Sequence, residues 1–445
     1  MWMLYEFLYL LGLLLYLPSA VWRRRLPHRG WSMRLGRYPA RVAQSLSFDS
    51  PLDTLGARSG FRPAGSSRGA QHSIWIHAVS VGEVLAAQPL LRALRQAAPD
   101  HPLVLSTITP AGFAVASKQG EGIPIYFPLD VRGCVGRALD ALRPRLLLLV
   151  ESELWPMAIR ATASRGVPIA VVNGRLSPRA FRRHRLVAPW VRGTLERVRL
   201  FLMQSQADAD RLLALGVSPE KVRVVGNVKW DASLGARPTT EAIAELAVRL
   251  GLTGREEVVV AGSTHRGEEA ALLRAFLAAR SARPRARLIL APRHLERLGE
   301  VEGAVRGAGL TCARLSQAAR DWVVGLVDTM GQLPRYYGLA TVAFIGGSLI
   351  PHGGQNPLEA ASLGKPIVFG PSMHNFDSII HQLLAHHAAR QVTDAGELTR
   401  VLEELLADPT TSQVMGRRAR ELTEQFQGAT QRTVDALKPL MNKHQ

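Results

Sequence analysis

Carboxylates placed just after apolar runs are the residues of this chain best suited to acid–base chemistry. Glu83 in "HAVSVGEVLAA" follows the run Ile74-Trp75-Ile76 and stands three after Ser80. That S-x-x-E spacing is a capping box, in which Ser and Glu satisfy backbone N–H groups at a helix start. The same carboxylate is placed to act as a general base, and the two roles compete. Backbone N–H donors lower a carboxyl pKa, whereas a base works best with its pKa near the working pH. Spacing alone leaves both roles open. Glu151 and Glu153 in "VESELWPMA" follow "LLLLV" and precede Trp155-Pro156. They read equally as solvated loop acids or as acids at a ligand cleft.

Three further stretches could bind an anion. Gly262-Ser263-Thr264 in "VVVAGSTHRGEE" sits between a strand pattern and a helix pattern, where backbone N–H groups attract phosphate or a hydroxyl caps the helix. The Walker spacing is absent. Pro292-Arg293-His294 ends another strand pattern and offers either a fixed guanidinium for a phosphate or carboxylate, or an ordinary surface arginine. In "LIPHGGQNPLEAASLGKPIVFGP", Gly353 and Gly354 allow close backbone approach, Asn356 can cap, Pro357 suits a first helical position, and Glu359 follows. This describes a good helix start and equally a nucleotide-sugar pocket in which the acid takes ribose hydroxyls. No metal is expected. Asp208 and Asp210 have D-x-D form but fall at a helix start, where acids favour the dipole and successive side chains diverge. Cys134 and Cys312 fit no paired motif, and the histidines form no ligand spacing.

These loops need strands to carry them. "IWIHAV", "PLVLST", "RLLLLVES", "PIAVVNG", "LFLMQS" and "VRVVGN" are short continuous apolar runs separated by helical stretches, as buried parallel strands are. "EVVVAGS", "ARLILAPR", "VVGLVD", "VAFIGGS" and "KPIVFGP" form a second series after a break rich in Gly, Pro and Thr. The pattern predicts an α/β protein of two Rossmann-like, doubly wound domains with their loops facing one cleft. The length of 445 residues agrees with two cores.

The chain carries 55 Lys and Arg against 36 Asp and Glu, a net charge of +19, so its partners are expected to be anionic. Its basic residues are scattered without a dense stripe or a nucleic-acid-binding motif, so no nucleic acid is expected. The first 22 residues are apolar except Glu6 and Ser19 and end in Arg23-Arg24-Arg25. That order suits an uncleaved membrane anchor with the rest of the protein on the cytoplasmic side. A helix lying in the interface is the alternative. The basic, aromatic "HRGWSMRLGRYP" reads as a connector over lipid headgroups or in solvent. Residues 47–72, rich in Gly, Ser, Pro and Arg, read as a flexible insertion.

Taken in order, "IHAVSVGEV", "ESELWP", "VNGRLS", "QSQADADRLLALGV", "VGNVKWD", "AGSTHRGEE", "APRH", "VDTMGQLP" and "HGGQNPLEAASLGKPIVFGP" resemble the bacterial Kdo (3-deoxy-D-manno-oct-2-ulosonic acid) transferases of lipopolysaccharide synthesis. The resemblance implies a GT-B fold, CMP-Kdo as donor, a lipid A precursor as acceptor, and no cofactor or metal. It implies work at the cytoplasmic face of the inner membrane. It divides the chain into an anchor (1–25), a connector with insertion (26–72), an acceptor domain (73–230), a linker (231–241) and a CMP-Kdo-binding domain (242–445). By motif, Glu83 is the expected general base, and Glu153 and Lys229 are the expected transition-state stabilisers. Pro292, Arg293, Met330, Gly331, Gln332, Asn356, Pro357, Leu358 and Glu359 match the donor-binding segments. Gln332 stands where family members often carry an acid; it keeps the hydrogen-bonding reach without the charge. The implied reaction is a direct inverting displacement. Alternatives are a GT-B enzyme using a UDP-sugar, and a non-catalytic membrane tether.

Overall fold

A computed structural model of the chain describes residues 2–22, 30–46, 72–151, 153–235, 237–317 and 321–442. Two compact units account for it: Met1–Ala232 together with Gly428–Gln445, and Ser233–Gln427.

The first unit holds seven parallel strands, β1 (Ser73–His77), β2 (Leu103–Thr107), β3 (Ile123–Tyr126), β4 (Pro144–Val150), β5 (Ile169–Gly174), β6 (Leu200–Met203) and β7 (Val222–Val224), in the order β3-β2-β1-β4-β5-β6-β7. Their continuous apolar composition follows from burial on both faces. Trp75, Leu147 and Leu149 pack into one helical layer, while Ile74, Ile76, Leu146 and Leu148 pack into the other. Chain order reverses between β1 and β4, so the loops after these two strands flank the switch point.

The second unit repeats the plan with β8 (Val258–Thr264), β9 (Arg287–Pro292), β10 (Cys312–Arg314), β11 (Val324–Leu326), β12 (Val342–Ile345), β13 (Ile367–Phe369) and β14 (Ala389–Gln391), in the order β10-β11-β9-β8-β12-β13-β14. All of its pairings are parallel, and its switch point lies between β8 and β12. Strands β3, β10 and β14 are sheet edges that hydropathy alone does not pick out. They are three or four residues long and carry Pro or Arg.

Three expectations are corrected. The second domain was expected to run to the C terminus, but helix Ala429–Met441 belongs to the first unit. Its Val434 and Leu437 complete the layer over Ile74 and Leu146. Asp231 ties that return down by accepting the N–H groups of Gly428 (2.7 Å) and Thr430 (2.6 Å).

Residues 30–46, expected as a connector, are part of the first unit instead. Met33 and Val42 are buried in its core, and Arg34 lies over the Tyr126 ring at 5.0 Å. All but the last residue of the expected insertion (47–72), and Arg23-Arg24-Arg25, lie outside the described residues.

The expected spanning anchor is not supported. Residues Trp2–Trp22 form a helix, but among the described residues no helix is long and apolar enough to cross a membrane. Polar side chains of this helix are used on the first unit. Tyr5 donates to Asp130 Oδ2 (2.6 Å), Glu6 accepts from the Arg132 N–H, and the Tyr9 hydroxyl accepts from the Asp130 N–H (3.4 Å). Phe7, Leu8, Leu10, Leu11, Leu14 and Leu15 are exposed.

Candidate active site

The switch point of the first unit collects three carboxyls and an ammonium. Glu83 lies in the first turn of the short helix Val81–Ala86, directly after β1. The cap forms with its return bond shifted by one residue: Ser80 Oγ accepts the Glu83 N–H at 3.4 Å, and Glu83 Oε2 accepts the N–H of Val79, just before the cap, at 2.7 Å. The hydroxyl of Ser80 donates to Glu83 Oε1 at 3.2 Å. These bonds favour the ionised carboxylate, yet burial and then the neighbouring Glu151 charge outweigh them. The Glu83 pKa is pushed up to about 7. Capping and a base-like pKa therefore coexist in one side chain.

Across the switch point, Glu151 follows β4 in a left-handed backbone conformation (φ 61°), which is strained for a residue with a side chain. Its carboxylate pairs with Lys229 Nζ at 2.9 Å, both groups being largely buried. Glu153, two residues on, has its pKa raised by burial and then by Glu151. The loop then enters helix Pro156–Ala163, whose first N–H groups, from Met157 and Ala158, donate to Asp130 at 3.1 and 2.7 Å. That is the same carboxyl that receives Tyr5 from the N-terminal helix.

Lys229 is positioned by a run of amides at successive strand ends. Asn173, at the end of β5, accepts the Val228 N–H through Oδ1 (3.1 Å), and Gln204, after β6, donates to the Asn173 carbonyl (2.9 Å). Asn227, after β7, donates to Gln204 (2.8 Å) and accepts the Lys229 N–H (3.0 Å). Sequence reasoning named none of these amides, nor Glu151 as the partner of Lys229. The signal was present in "VNG", "MQS" and "VGN", where an amide recurs at the carboxyl end of three consecutive strands.

In the second unit, Arg293 follows β9 and its N–H donates to the Thr264 carbonyl at 2.9 Å, joining the start of the loop after β9 to the end of β8. Asn356 and Glu359 meet, Nδ2 donating to Oε1 at 3.4 Å, and Asn356 Oδ1 caps the short helix Leu358–Ser362 through the Leu358 N–H (3.1 Å). Pro357 and Leu358 are buried. The Glu359 carboxyl is pushed up to about 7 by burial, against the pull of Asn356 and of the Arg293 charge. Arg293, Asn356 and Glu359 are thus brought together electrostatically.

Tyr337 is buried close to Glu359. A Cβ at Gly262 would lie 2.0 Å from the Tyr337 hydroxyl, so only glycine fits there. Met330 is exposed, Gly331 takes the left-handed conformation (φ 79°), and Gln332 accepts from Arg335 at 3.4 Å.

His265 is buried with its ring 4.1 Å from that of His352 and 5.6 Å from that of His294, and burial pulls its pKa down to about 4. Among the described residues no group of three or more His, Cys, Asp or Glu side chains is arranged to hold a metal ion. Asp208, of the D-x-D pair, accepts the Leu176 N–H (2.9 Å) and pairs with Arg211 (3.2 Å).

Two all-parallel, doubly wound units with polar clusters at the switch points define the architecture of GT-B glycosyltransferases. Solved structures share it. A glycosyltransferase from Rickettsia africae matches with a TM-score of 0.57 and 11% identity, covering 84% of this chain and all of its own. The UDP-GlcNAc 2-epimerase of Neisseria meningitidis matches with a TM-score of 0.53 and 15% identity, covering 82% of this chain and all of its own. At such identities the likeness concerns the fold alone.

Sequence likeness is closer. The family model described as 3-deoxy-D-manno-octulosonic-acid transferase (kdotransferase) matches residues 29–232. The 3-deoxy-D-manno-octulosonic acid transferase of Haemophilus influenzae is 32% identical over 90% of this chain and 94% of its own length. That of Bordetella pertussis is 35% identical over 82% and 86%. The chain belongs to the 3-deoxy-D-manno-octulosonic acid transferase family, and it is a glycosyltransferase.

Proposed function

We propose that this enzyme transfers Kdo from CMP-Kdo to a phosphorylated, acylated lipid A precursor, with inversion at the anomeric carbon. The observation that carries the reading is Glu83: a carboxyl at the first unit's switch point with a pKa of about 7, beside the Lys229–Glu151 pair. A carboxyl so poised accepts the proton of the attacking sugar hydroxyl near neutral pH. The oxygen then forms its bond to the Kdo anomeric carbon as the bond to the CMP phosphate breaks. Lys229 balances charge developing in that step, with Glu151 holding its ammonium in place. Glu153 lines the same switch point with a carboxyl whose protonated form is favoured by burial.

Donor binding is assigned to the second unit. Arg293 attracts the phosphate, Glu359 and Asn356 take ribose hydroxyls, and Pro292, Met330, Gly331, Gln332, Pro357 and Leu358 shape the nucleotide pocket. The left-handed Gly331 and the buried acid beside a guanidinium support this reading. No metal or cofactor enters the reaction as proposed.

The acceptor is a lipid, so the enzyme works at an anionic membrane surface, the cytoplasmic face of the inner membrane. The N-terminal helix lies in the interface with its exposed Phe7 and leucines in lipid. The Tyr5 ring meets Trp190 at 6.0 Å, next to helix Pro178–Leu186 with Arg179, Arg182, Arg183 and Arg185. Those arginines supply attraction to phosphate headgroups.

Mass spectrometry of a lipid A precursor incubated with the purified chain and CMP-Kdo tests the reading, with UDP-sugars as the competing donors. A product heavier by Kdo supports it; transfer only from a UDP-sugar, or from neither, refutes it. Flotation with anionic and neutral vesicles tests the surface, and Leu14→Glu with Leu15→Glu abolishes binding if the helix inserts.

A further inference from the structure

At the switch point of the second unit one carboxylate is surrounded by backbone. Glu268, the first residue of helix Glu268–Ser281, is fully buried. Its Oε2 accepts the N–H groups of His265 (2.9 Å) and Gly347 (2.7 Å). Its Oε1 accepts those of Ser348 (2.9 Å) and Leu349 (3.0 Å). The donors come from the two loops that flank the switch, after β8 and after β12. Three of them are consecutive, with Gly347 in the left-handed conformation (φ 68°), and successive N–H groups so turned form a nest that binds anions.

Here the protein's own carboxylate fills the nest, so a ligand phosphate has no place in it. What the nest provides instead is order. The loop after β12 runs from Gly347 through Gly353 and Gly354 into Asn356 and Glu359, and its glycines leave it little stiffness of its own. Glu268 fixes its beginning to the loop that carries His265, and His265 Nε2 lies 3.1 Å from the Gln355 side-chain nitrogen, one residue before Asn356. Ser348 extends the joint by accepting the Gly370 N–H through its hydroxyl at 2.8 Å. Gly346 admits no side chain, since a Cβ would stand 2.4 Å from the Ser263 carbonyl, so the two loops are already at closest approach.

We propose that Glu268 is a positioning residue for the sugar-nucleotide donor, holding the loops after β8 and β12 in their binding conformation before the donor arrives. The inference rests on the reading of the second unit as the donor-binding unit.

Two substitutions in the full chain test it. Glu268→Gln keeps the shape but sets an NH2 group against two N–H donors; Glu268→Ala leaves a carboxylate-sized hole lined by four of them. CMP binding is measured by calorimetry, and donor and acceptor KM by steady-state transfer. Both variants raise the CMP Kd and the donor KM by about tenfold or more, because charge-assisted bonds to four backbone groups are lost, while the acceptor KM stays within about twofold. Acetate at about 50 mM, compared with chloride at equal ionic strength, raises the Tm and lowers the donor KM of Glu268→Ala, because it binds the folded nest. It does nothing for the wild type or for Glu268→Gln, whose nests are filled.

The proposal is overturned if either folded variant binds CMP as the wild type does. It is also overturned if Glu268→Ala loses donor and acceptor affinity alike, with a lowered Tm that acetate leaves unchanged. Should Glu268→Ala fail to fold, the CMP titration of Glu268→Gln decides. A wild-type chain that binds neither CMP nor CMP-Kdo removes the donor reading itself, and that result is visible before any variant is made.

Discussion

Replacing Glu83 by Gln separates the two roles of that side chain. The amide oxygen of Gln can still accept the Val79 N–H now held at 2.7 Å, so the cap largely persists. Loss of a capping interaction costs about 1 kcal/mol, and the variant should melt within a few degrees of the wild type. The proposed proton acceptor, in contrast, is gone, and a positioned general base contributes about 10²- to 10⁴-fold. Transfer by Glu83→Gln should therefore fall by about that factor with CMP binding unchanged.

The pH profile carries the sharper number. With a pKa of about 7, the Glu83 carboxyl is roughly one-tenth ionised at pH 6 and nine-tenths at pH 8. At saturating donor, kcat/KM for the acceptor should rise about tenfold between those values, and the residual activity of Glu83→Gln should lack that limb. The assay is initial-rate transfer followed by mass spectrometry. Transfer by the variant within a fewfold of wild type, or a wild-type acid limb near the ordinary value for Glu, would refute the assignment and leave Glu83 a helix cap.

Glu151→Gln removes the second-largest cause of the raised Glu83 pKa, so the acid limb moves to lower pH while kcat falls through the loss of the Lys229 partner; a profile that does not move contradicts the electrostatics. Glu359, also near 7, gives donor affinity its own pH dependence: the CMP Kd should fall as pH rises through 7 in the wild type, and stay flat in Glu359→Gln. The stability sign for Glu359 is the reverse. Its folded pKa lies above the unfolded value, so the folded chain holds the extra proton and stability declines as pH rises from about 4.5 to 7. The melting temperature of Glu359→Gln should accordingly gain on the wild type between pH 5 and 8. Asp231→Ala leaves the Gly428 and Thr430 N–H groups without their acceptor and should cost about 1–3 kcal/mol, read as a lowered Tm and faster proteolysis near residue 428.

Periodicity made the central strands legible, because a strand buried on both faces has to be apolar throughout; Leu146 to Leu149 alternate between two helical layers and are all leucine. The edge strands β3, β10 and β14 escaped because three or four residues at a sheet margin need no such run. The return of helix Ala429–Met441 to the first unit also escaped: an amphipathic helix looks the same whichever core it covers. At the N terminus, hydropathy added Tyr5, Glu6 and Tyr9 to an apolar average, whereas folding spends them as hydrogen-bonding groups on residues 130–132.

Among the candidate site residues, Glu83 was legible from its place after a strand, and Asn356 and Glu359 from a helix-start pattern. Glu268 was not, and Glu151 was legible only as a loop acid without its Lys229 partner, because those partners are a set of backbone amides and a lysine distant in sequence. Residue types and local spacing carry no record of either.

Asp130 gives the beginning of the chain an importance that its composition conceals. One buried carboxyl receives the Tyr5 hydroxyl and also the first N–H groups of the helix that follows Glu153, Leu154 and Trp155. Removing the greasy first segment to obtain a better-behaved protein therefore does more than strip the proposed lipid contact. It takes a donor from a desolvated acid at the root of the loop bearing Glu153. Rates measured on a trimmed enzyme, with or without vesicles, would confound the loss of the proposed membrane contact with a loosening of that loop. Tyr5→Phe in the full-length chain keeps the segment and removes only the hydroxyl, and so tells the two apart.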